Sequence, residues 1–133
     1  MKKSFKGLSI LEVIVVTIII GILAALGLAS FAGPKEQVLN REAQANLKLI
    51  SSAEKIYRLE FGGYVSLLDV SEINNNLRLM IPTSNPSWEY KVVDVTASAF
   101  SAKARRISGF NQGKTYCIDQ VLDNAFTGGS CAW

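Results

Sequence analysis

The chain has 133 residues, of which 49% are hydrophobic and 19% are charged, and it contains no histidine. This length provides for one small domain and is too short for two. The formal net charge of +3 does not indicate a nucleic-acid partner, because Lys2, Lys3 and Lys6 account for the whole excess and stand together at the start of the chain.

The N-terminal part of the chain is a long apolar run that contains one carboxylate. Residues 8–32 carry polar side chains only at Ser9, Glu12, Thr17 and Ser30. About 20 apolar residues in a helix cross the roughly 30 Å hydrocarbon core of a bilayer, so the run predicts a membrane-spanning helix. The basic residues before it predict that the N-terminus stays in the cytoplasm. A carboxylate at the centre of a bilayer costs about 2.5–3.5 kcal/mol by insertion scales, so Glu12 requires a partner.

The first residues follow a recognisable order. A basic leader, Gly7, Leu8, Ser9, two apolar residues, Glu12 and a long apolar run stand in sequence. This order resembles the class III signal of type IV pilins and the related pseudopilins. In that family a membrane-embedded peptidase cuts after the glycine and N-methylates the exposed residue, and the glutamate pairs with the N-terminus of a neighbouring subunit. The resemblance implies cleavage after Gly7, methylation of Leu8 and an assembly role for Glu12, although the family usually has Phe where this chain has Leu8.

The same resemblance implies an α+β, pilin-like fold in which a long N-terminal helix packs on a small antiparallel sheet. It divides the chain into a leader at residues 1–7, a transmembrane and filament-core helix at 8–32, an amphipathic continuation of that helix at 33–61 and a globular head at 62–133. The implied partners are further copies of the chain, the prepilin peptidase and the inner-membrane assembly machinery. The implied location is the bacterial inner membrane, followed by an extracellular pilus or a periplasmic pseudopilus.

Two other interpretations of the apolar run remain open. Small residues before Gly33 and Pro34 are typical of a signal-peptidase site, but a secretory signal has a shorter apolar core of about 7–15 residues and rarely carries a carboxylate. The run is also compatible with a plain single-span anchor in which Glu12 has no role. Either interpretation leads to an anchored or secreted domain with an unknown binding or enzymatic role.

Glycine and proline interrupt the helical pattern at several points. Gly33 and Pro34 predict a kink or a locally unwound stretch, because proline lacks a backbone donor and disfavours helix at the residue before it. Gly21 and Gly27 are weaker points inside the apolar run. In pilins the helix is often melted near such residues in the filament, so the resemblance makes these four residues candidates for helix flexibility. Close approach of neighbouring helices is the alternative explanation of the glycines.

Residues 35–61 have the period of an amphipathic helix that packs against a partner. Glu54 and Arg58 are spaced for a favourable i,i+4 ion pair, and Gly62 with Gly63 is expected to end the helix. We therefore expect one long helix, apolar in its first half and amphipathic in its second. Two neighbouring apolar stripes run along the second half, one with Leu39, Ala43, Leu47, Ile50 and Tyr57 and the other with Ala45, Leu49, Ala53 and Ile56.

The remainder of the chain changes to a period of two. Residues 64–86 have no sustained period, and a short helical turn is expected within 69–79. Three alternating runs then predict an antiparallel meander with one apolar face directed at the amphipathic helix. The apolar positions of these runs are Trp88, Tyr90, Val92, Phe100, Ala102, Ala104, Tyr116 and Ile118.

Cys117 and Cys131 are predicted to form a disulfide that bounds a C-terminal loop in an exported head. Closing a loop of this size contributes roughly 3 kcal/mol in the chain-entropy model. Two unpaired buried thiols are the alternative. We expect no metal site, because two cysteines without histidine do not supply the four ligands of a structural zinc.

The sequence contains no catalytic constellation and no phosphate-binding glycine loop. We therefore expect no enzyme activity, no cofactor and no specific nucleic-acid partner. The head aromatics fit a sheet core better than a stacking platform for bases, and Lys103, Arg105 and Arg106 are expected to form a small solvated basic cluster. Three functions remain: a pilus subunit, a pseudopilin of a type II secretion system or minor pilin, and a single-span anchored or secreted domain. The paired cysteines favour the pilus subunit, and the acidic calcium loop of the major secretion pseudopilin is not apparent after Asp119.

Overall fold

A computed structural model of the chain describes residue 7 and residues 9–27, 32–121 and 131–133. The chain divides into two compact units, Met1–Glu36 and Gln37–Trp133, which are described separately. The described elements are α1 (Ile10–Gly27), α2 (Ala32–Phe61), α3 (Val70–Leu77), β1 (Trp88–Val93), β2 (Ser101–Arg106) and β3 (Thr115–Asp119).

Helix α1 is apolar on every side. Its mean hydropathy is 2.8, and none of its residues is buried. Within the described ranges it is the one helix long and apolar enough to cross a membrane, a property that an N-terminal signal sequence shares. Its one hydroxyl group is satisfied internally, because the Thr17 Oγ1 donates a hydrogen bond of 2.8 Å to the Ile14 carbonyl.

Helix α2 includes Gly33 and Pro34 in its first turn. The locally unwound stretch predicted at these two residues is therefore absent here, and the alternative, a kink at the same point, stays a prediction because the preceding residues lie outside the described part of the chain. The missing N–H of Pro34 has no cost there, because the first four N–H groups of a helix have no intrahelical acceptor. Residues 28–31 lie outside the described part of the chain, and so does the predicted continuity of one long helix.

The C-terminal end of α2 agrees with the sequence. The helix ends at Phe61, and Gly62 follows with a φ of +84°, which a residue without Cβ adopts at little cost. The Gly62 N–H donates to the Arg58 carbonyl at 2.8 Å and so satisfies one of the last helical carbonyls.

The three strands form an antiparallel meander in the order β1-β2-β3. The predicted apolar face is confirmed, since all eight of its apolar positions are buried. Phe100 immediately precedes β2 and does not lie in the strand. Cys117 is buried as well, on the opposite face of β3, because it carries a disulfide bond.

Helix α2 packs one of its two apolar stripes on this face. Ala43, Leu47 and Ile50 are fully buried in the same core as the strand residues. The Asn46 Nδ2 also donates to the Tyr90 hydroxyl at 2.9 Å, which links helix and sheet by a polar contact. Burying each large aliphatic side chain contributes about 1.5–3 kcal/mol, so this stripe is a main source of the stability of the head.

The short helix predicted within residues 69–79 is α3. The Asp69 carboxylate caps the helix by accepting from the Glu72 N–H at 2.8 Å, and the Glu72 carboxylate reaches back to accept from the Leu68 N–H, one residue before the cap, at 2.8 Å. Just before this helix, Leu67 pairs with Val92 of β1 through two backbone hydrogen bonds. This pairing attaches α3 to the Val93 end of the sheet.

Candidate functional site

The N-terminal candidate residues are only partly described. Gly7 is exposed, Leu8 lies outside the described residues, and Glu12 is in the first turn of α1 with its side chain exposed. The Glu12 N–H donates to the Ser9 carbonyl at 3.0 Å, so the helix begins close to the proposed cleavage point. A carboxylate in a first turn is favoured by the positive end of the helix dipole.

More than half of the exposed large hydrophobic side chains in the described part of the chain lie on α1. Ile10 is 81% exposed and Leu26 is 70% exposed, and the side chains between them are exposed as well. In water each of these aliphatic side chains would forgo about 1.5–3 kcal/mol of burial. The described part of one chain does not cover this surface.

The candidate points of helix flexibility all lie in regular helix. Gly21 and Gly27 belong to α1, and Gly33 and Pro34 belong to α2. A Cβ atom at any of the three glycines would meet nothing within 4 Å apart from its chain neighbours and the backbone of its own helix. No close packing among the described residues of the chain requires glycine there, and both flexibility and approach by another helix remain predictions.

The disulfide attaches the end of the chain to the sheet. Cys117 and Cys131 are bonded, with their Cα atoms 5.4 Å apart. Cys117 lies opposite Lys103 on the outer face of the sheet, and the Lys103 Nζ donates to the Ala132 carbonyl at 2.9 Å. The predicted loop itself, residues 122–130, lies outside the described part of the chain.

Trp133 lies on the same outer face. Its ring is 4.1 Å from the Lys91 Nζ and 4.5 Å from the Arg105 Cζ, which are cation–π distances. The disulfide thus holds residues 131–133 across the face of the sheet that points away from the core.

The predicted basic cluster is wrong, because alternation along β2 separates its members. Lys103 pairs with Asp94 at 3.3 Å, and Arg105 pairs with Glu89, both on the outer face. Arg106 lies on the core face, is 4% exposed and holds its guanidinium 5.4 Å from the Trp88 ring. The three cations therefore do not form one solvated patch.

Glu54 is a buried charged residue that the sequence interpretation missed. The predicted ion pair with Arg58 is wrong: Glu54 is fully buried, and its Oε2 accepts from the Val65 N–H at 3.1 Å. Arg58 instead donates to the Tyr64 hydroxyl at 3.3 Å. The signal was available in the sequence, since Glu54 follows Ile50 by four positions and so shares its buried stripe.

The surroundings of Glu54 change its acid–base behaviour. Burial raises the pKa of Glu54 to about 7 from an ordinary value of 4.5, and the hydrogen bond from Val65 opposes part of that rise. The Oε1 has no hydrogen-bond partner among the described residues. Protonation removes the charge that burial disfavours, so the neutral acid is the form that suits this site.

A groove lies at the C-terminal ends of α2 and α3 and encloses about 330 Å³. The Tyr57 and Phe61 rings contribute one wall, with their centroids 4.5 Å apart, and Asn75 belongs to the other side. Glu60 and Arg78 are the charged residues of its lining. The sequence did not predict this groove, because it forms only where two helix ends meet.

No group of three or more His, Cys, Asp or Glu residues that could hold a metal ion occurs in the described ranges. Comparison of the chain with protein-family models gives no match, and comparison with curated proteins gives none.

Proposed function

We propose that this chain is a structural subunit of a type IV pilus or a related filament and polymerises through its N-terminal helix. The observation that carries the proposal is α1, an apolar helix with no buried residue and with Glu12 in its first turn. Packing such helices side by side would bury their apolar surface, and Glu12 would be enclosed with them.

The role of Glu12 follows from the cost of enclosing a carboxylate. Cleavage after Gly7 creates an α-amino group on Leu8, and a neighbouring subunit can present this ammonium to Glu12. A paired charge then replaces the water that Glu12 loses. Because the ammonium and the carboxylate meet at only one axial offset of the two helices, the pair sets register more than it adds affinity.

The proposed path starts in the bacterial inner membrane, with the N-terminus in the cytoplasm. The prepilin peptidase removes residues 1–7, and the inner-membrane assembly machinery adds the subunit to a pilus or pseudopilus. The disulfide between Cys117 and Cys131 supports delivery of the head to an oxidising compartment.

The processing step predicts one covalent product. Mass spectrometry of the mature protein is expected to find the N-terminus at Leu8 with one added methyl group. An N-terminus at Gly33 would instead identify a secretory signal and would contradict the filament proposal.

The assembly step is tested by substituting Glu12. Glu12→Ala is expected to leave the head folded and the chain in the membrane but to abolish or severely reduce filaments, since nothing then sets the register. Glu12→Gln, which keeps the shape without the charge, is expected to be intermediate. Electron microscopy of cells expressing each variant at matched levels measures the effect.

Thr17→Ala is the matched control for Glu12, because Thr17 is a polar residue of the same helix whose hydroxyl bonds within the helix. It is expected to leave filament number unchanged. Wild-type numbers of filaments from Glu12→Ala would remove the main support for the proposal.

A pseudopilin of a type II secretion system or a minor pilin shares every N-terminal feature, and α1 with Glu12 supports it equally. The disulfide at the end of the chain favours the pilus subunit. A single-span anchored domain is supported by α1 alone, and wild-type behaviour of Glu12→Ala would favour it.

A further inference from the structure

The buried carboxyl group of Glu54 is bonded to the connector, residues 62–66, which follows the end of α2. Its Oε2 accepts from the Val65 N–H at 3.1 Å, and its Oε1 has no hydrogen-bond partner among the described residues. Neither ion pair of the described ranges involves Glu54. Because Glu54 is fully buried, a carboxylate in this position would lose its hydration with no cation to replace it.

The connector lies between two fixed points and is itself only partly covered. At one end, Gly62 donates to the last turn of α2 and has a φ of +84°, which glycine adopts at little cost. At the other end, Leu67 and Val92 exchange two backbone hydrogen bonds of 3.0 and 2.7 Å. None of residues 62–66 is buried. Segments with an exposed backbone open at a lower free energy than the core, so the connector is suited to local opening.

Arg58 is a second possible partner of Glu54. It is exposed and follows Glu54 by four positions on α2, the spacing of a favourable ion pair. In the closed connector, Arg58 donates to the Tyr64 hydroxyl at 3.3 Å, and its Cζ lies 5.2 Å from the centre of the Tyr64 ring. The Tyr64 ring packs in turn on Phe100, with the centroids 4.7 Å apart. Movement of Tyr64 with the connector therefore frees Arg58 for Glu54.

The other ionisable groups around this part of the core have partners of their own or lie on other sides. Lys55 directly follows Glu54 and so lies about 100° around the helix. The carboxylates of α3, Asp69 and Glu72, bond to backbone N–H groups at the start of that helix. The ionisable residues on the core face of the sheet contact Asn46 or Trp88, and they are Tyr90, Tyr116 and Arg106.

We propose that Glu54 and the connector form a pH-sensitive switch, in which the neutral acid keeps the connector closed and the carboxylate releases Val65 and pairs with Arg58. The proton passes to solvent, and no other bond is made or broken covalently. The Val65 hydrogen bond favours the carboxylate, but burial has the larger effect and raises the pKa of Glu54 to about 7, so opening relieves a net cost of ionisation. The inference is independent of the filament function, because each of these residues lies in the unit Gln37–Trp133.

Amide hydrogen exchange of the full-length chain in detergent micelles, followed by NMR, tests the switch, because the Val65 N–H reports directly on its bond to Glu54. After correction for the intrinsic pH dependence of exchange, the protection factor of Val65 is expected to fall by up to about 300-fold between pH 4.5 and about 7 and then to level off. A protection factor that does not change over this range would overturn the proposal.

The amides of Leu67 and Val92 are the internal controls, because their hydrogen bonds lie just beyond the connector. Val65 is expected to exchange roughly tenfold faster than either of them, or more, at each pH, since local opening requires less free energy than unfolding of the head. Equal protection of the three amides would show that the connector opens only with the whole head, which would also overturn the proposal.

Glu54→Gln keeps an acceptor for Val65 but cannot ionise, so it is expected to make the Val65 protection factor independent of pH. Glu60→Gln, which removes an exposed carboxylate of the same helix, is expected to keep the wild-type dependence. A wild-type dependence in Glu54→Gln would assign the opening to another group.

The pairing with Arg58 is tested by two variants that remove the same hydrogen bond of the closed connector. Tyr64→Phe removes this bond and leaves Arg58 available to Glu54, whereas Arg58→Gln removes the bond and the cation together. Above pH 7, Val65 is expected to exchange about twofold more slowly in Arg58→Gln than in Tyr64→Phe, because the open state then lacks its ion pair. Equal exchange in the two variants would contradict the pairing.

Discussion

Glu54 carries a carboxyl group that lies inside the core of the head. This group is hydrogen-bonded to the segment that follows α2. The Oε2 accepts from the Val65 N–H, while the Oε1 has no partner among the described residues. The burial that raises its pKa to about 7 makes the ionised form unfavourable in the folded state. This one residue therefore couples the stability of the head to pH.

The free energy of unfolding of the head is expected to fall as the pH rises. The folded state binds the Glu54 proton more tightly than the unfolded chain, so its contribution is complete below the unfolded pKa of 4.5 and is lost as the pH passes through about 7. At 1.36 kcal/mol per pKa unit, the loss is about 3 kcal/mol by pH 8. Denaturant unfolding of the chain across this pH range measures it.

Glu54→Gln cannot ionise, so it is expected to flatten this pH dependence. Glu60→Gln is the control, because Glu60 is an exposed carboxylate on the same helix, and it is expected to keep the wild-type slope. An unchanged slope with Glu54→Gln would show that another group causes the dependence.

At the scale of elements, α2 has two apolar stripes with different surroundings. Leu47 is fully buried against the sheet, and Leu49 is 46% exposed. Ala45 and Ile56 of the second stripe are exposed as well, and of that stripe only Ala53 is buried. The sheet therefore packs against the stripe that contains Leu47, and most of the stripe that contains Leu49 stays on the surface.

Leu47→Ala is expected to lower the free energy of unfolding by about 2–5 kcal/mol, because it leaves a cavity in the core. Leu49→Ala, the matched substitution two residues away, is expected to cost less than about 1 kcal/mol, since much of its surface is already in water. Denaturant unfolding of the two variants gives both values. Equal losses would contradict the observed orientation of α2.

The sheet is also held from its outer side. The disulfide places residues 131–133 across β1 and β2, where Lys103 binds the Ala132 carbonyl and Trp133 contacts two cations. In the chain-entropy model the disulfide contributes roughly 3 kcal/mol. The outer face is therefore stabilised by a covalent bond and polar contacts, and the inner face by apolar packing.

In the molecule as a whole, the two compact units differ in whether they bury their own apolar side chains. Met1–Glu36 includes the apolar α1, which buries none of its residues. Gln37–Trp133 contains every residue of the described hydrophobic core, from Ala43 onward. The second unit thus carries its own stabilising contacts.

Removal of residues 1–36 is expected to give a water-soluble head that unfolds cooperatively at the same denaturant concentration with and without detergent. The physical reason is that no core side chain is removed. The full chain is expected to sediment with membranes or to require detergent, because α1 stays exposed. Far- and near-ultraviolet circular dichroism of the shortened chain checks its fold, and loss of the near-ultraviolet signal would show that the core depends on the removed residues.

Several features of this protein follow from local patterns in its sequence. Hydropathy identified α1, the period of 3.6 identified α2, and alternation identified the buried face of the sheet, because each pattern follows from backbone geometry alone. Gly62 marked the end of α2 for the same reason. The type of fold and the paired cysteines were therefore accessible without coordinates.

The neighbours of each element are set by how the elements pack against one another. Glu54 lies in the core and does not pair with Arg58. Arg106 lies on the core face of β2, whereas Lys103 and Arg105 lie on its outer face. This packing also brings the ends of α2 and α3 together as a groove. Burial and the pairing of charges depend on contacts between residues that are distant along the chain, and periodicity within one segment carries no information about which distant segment covers it.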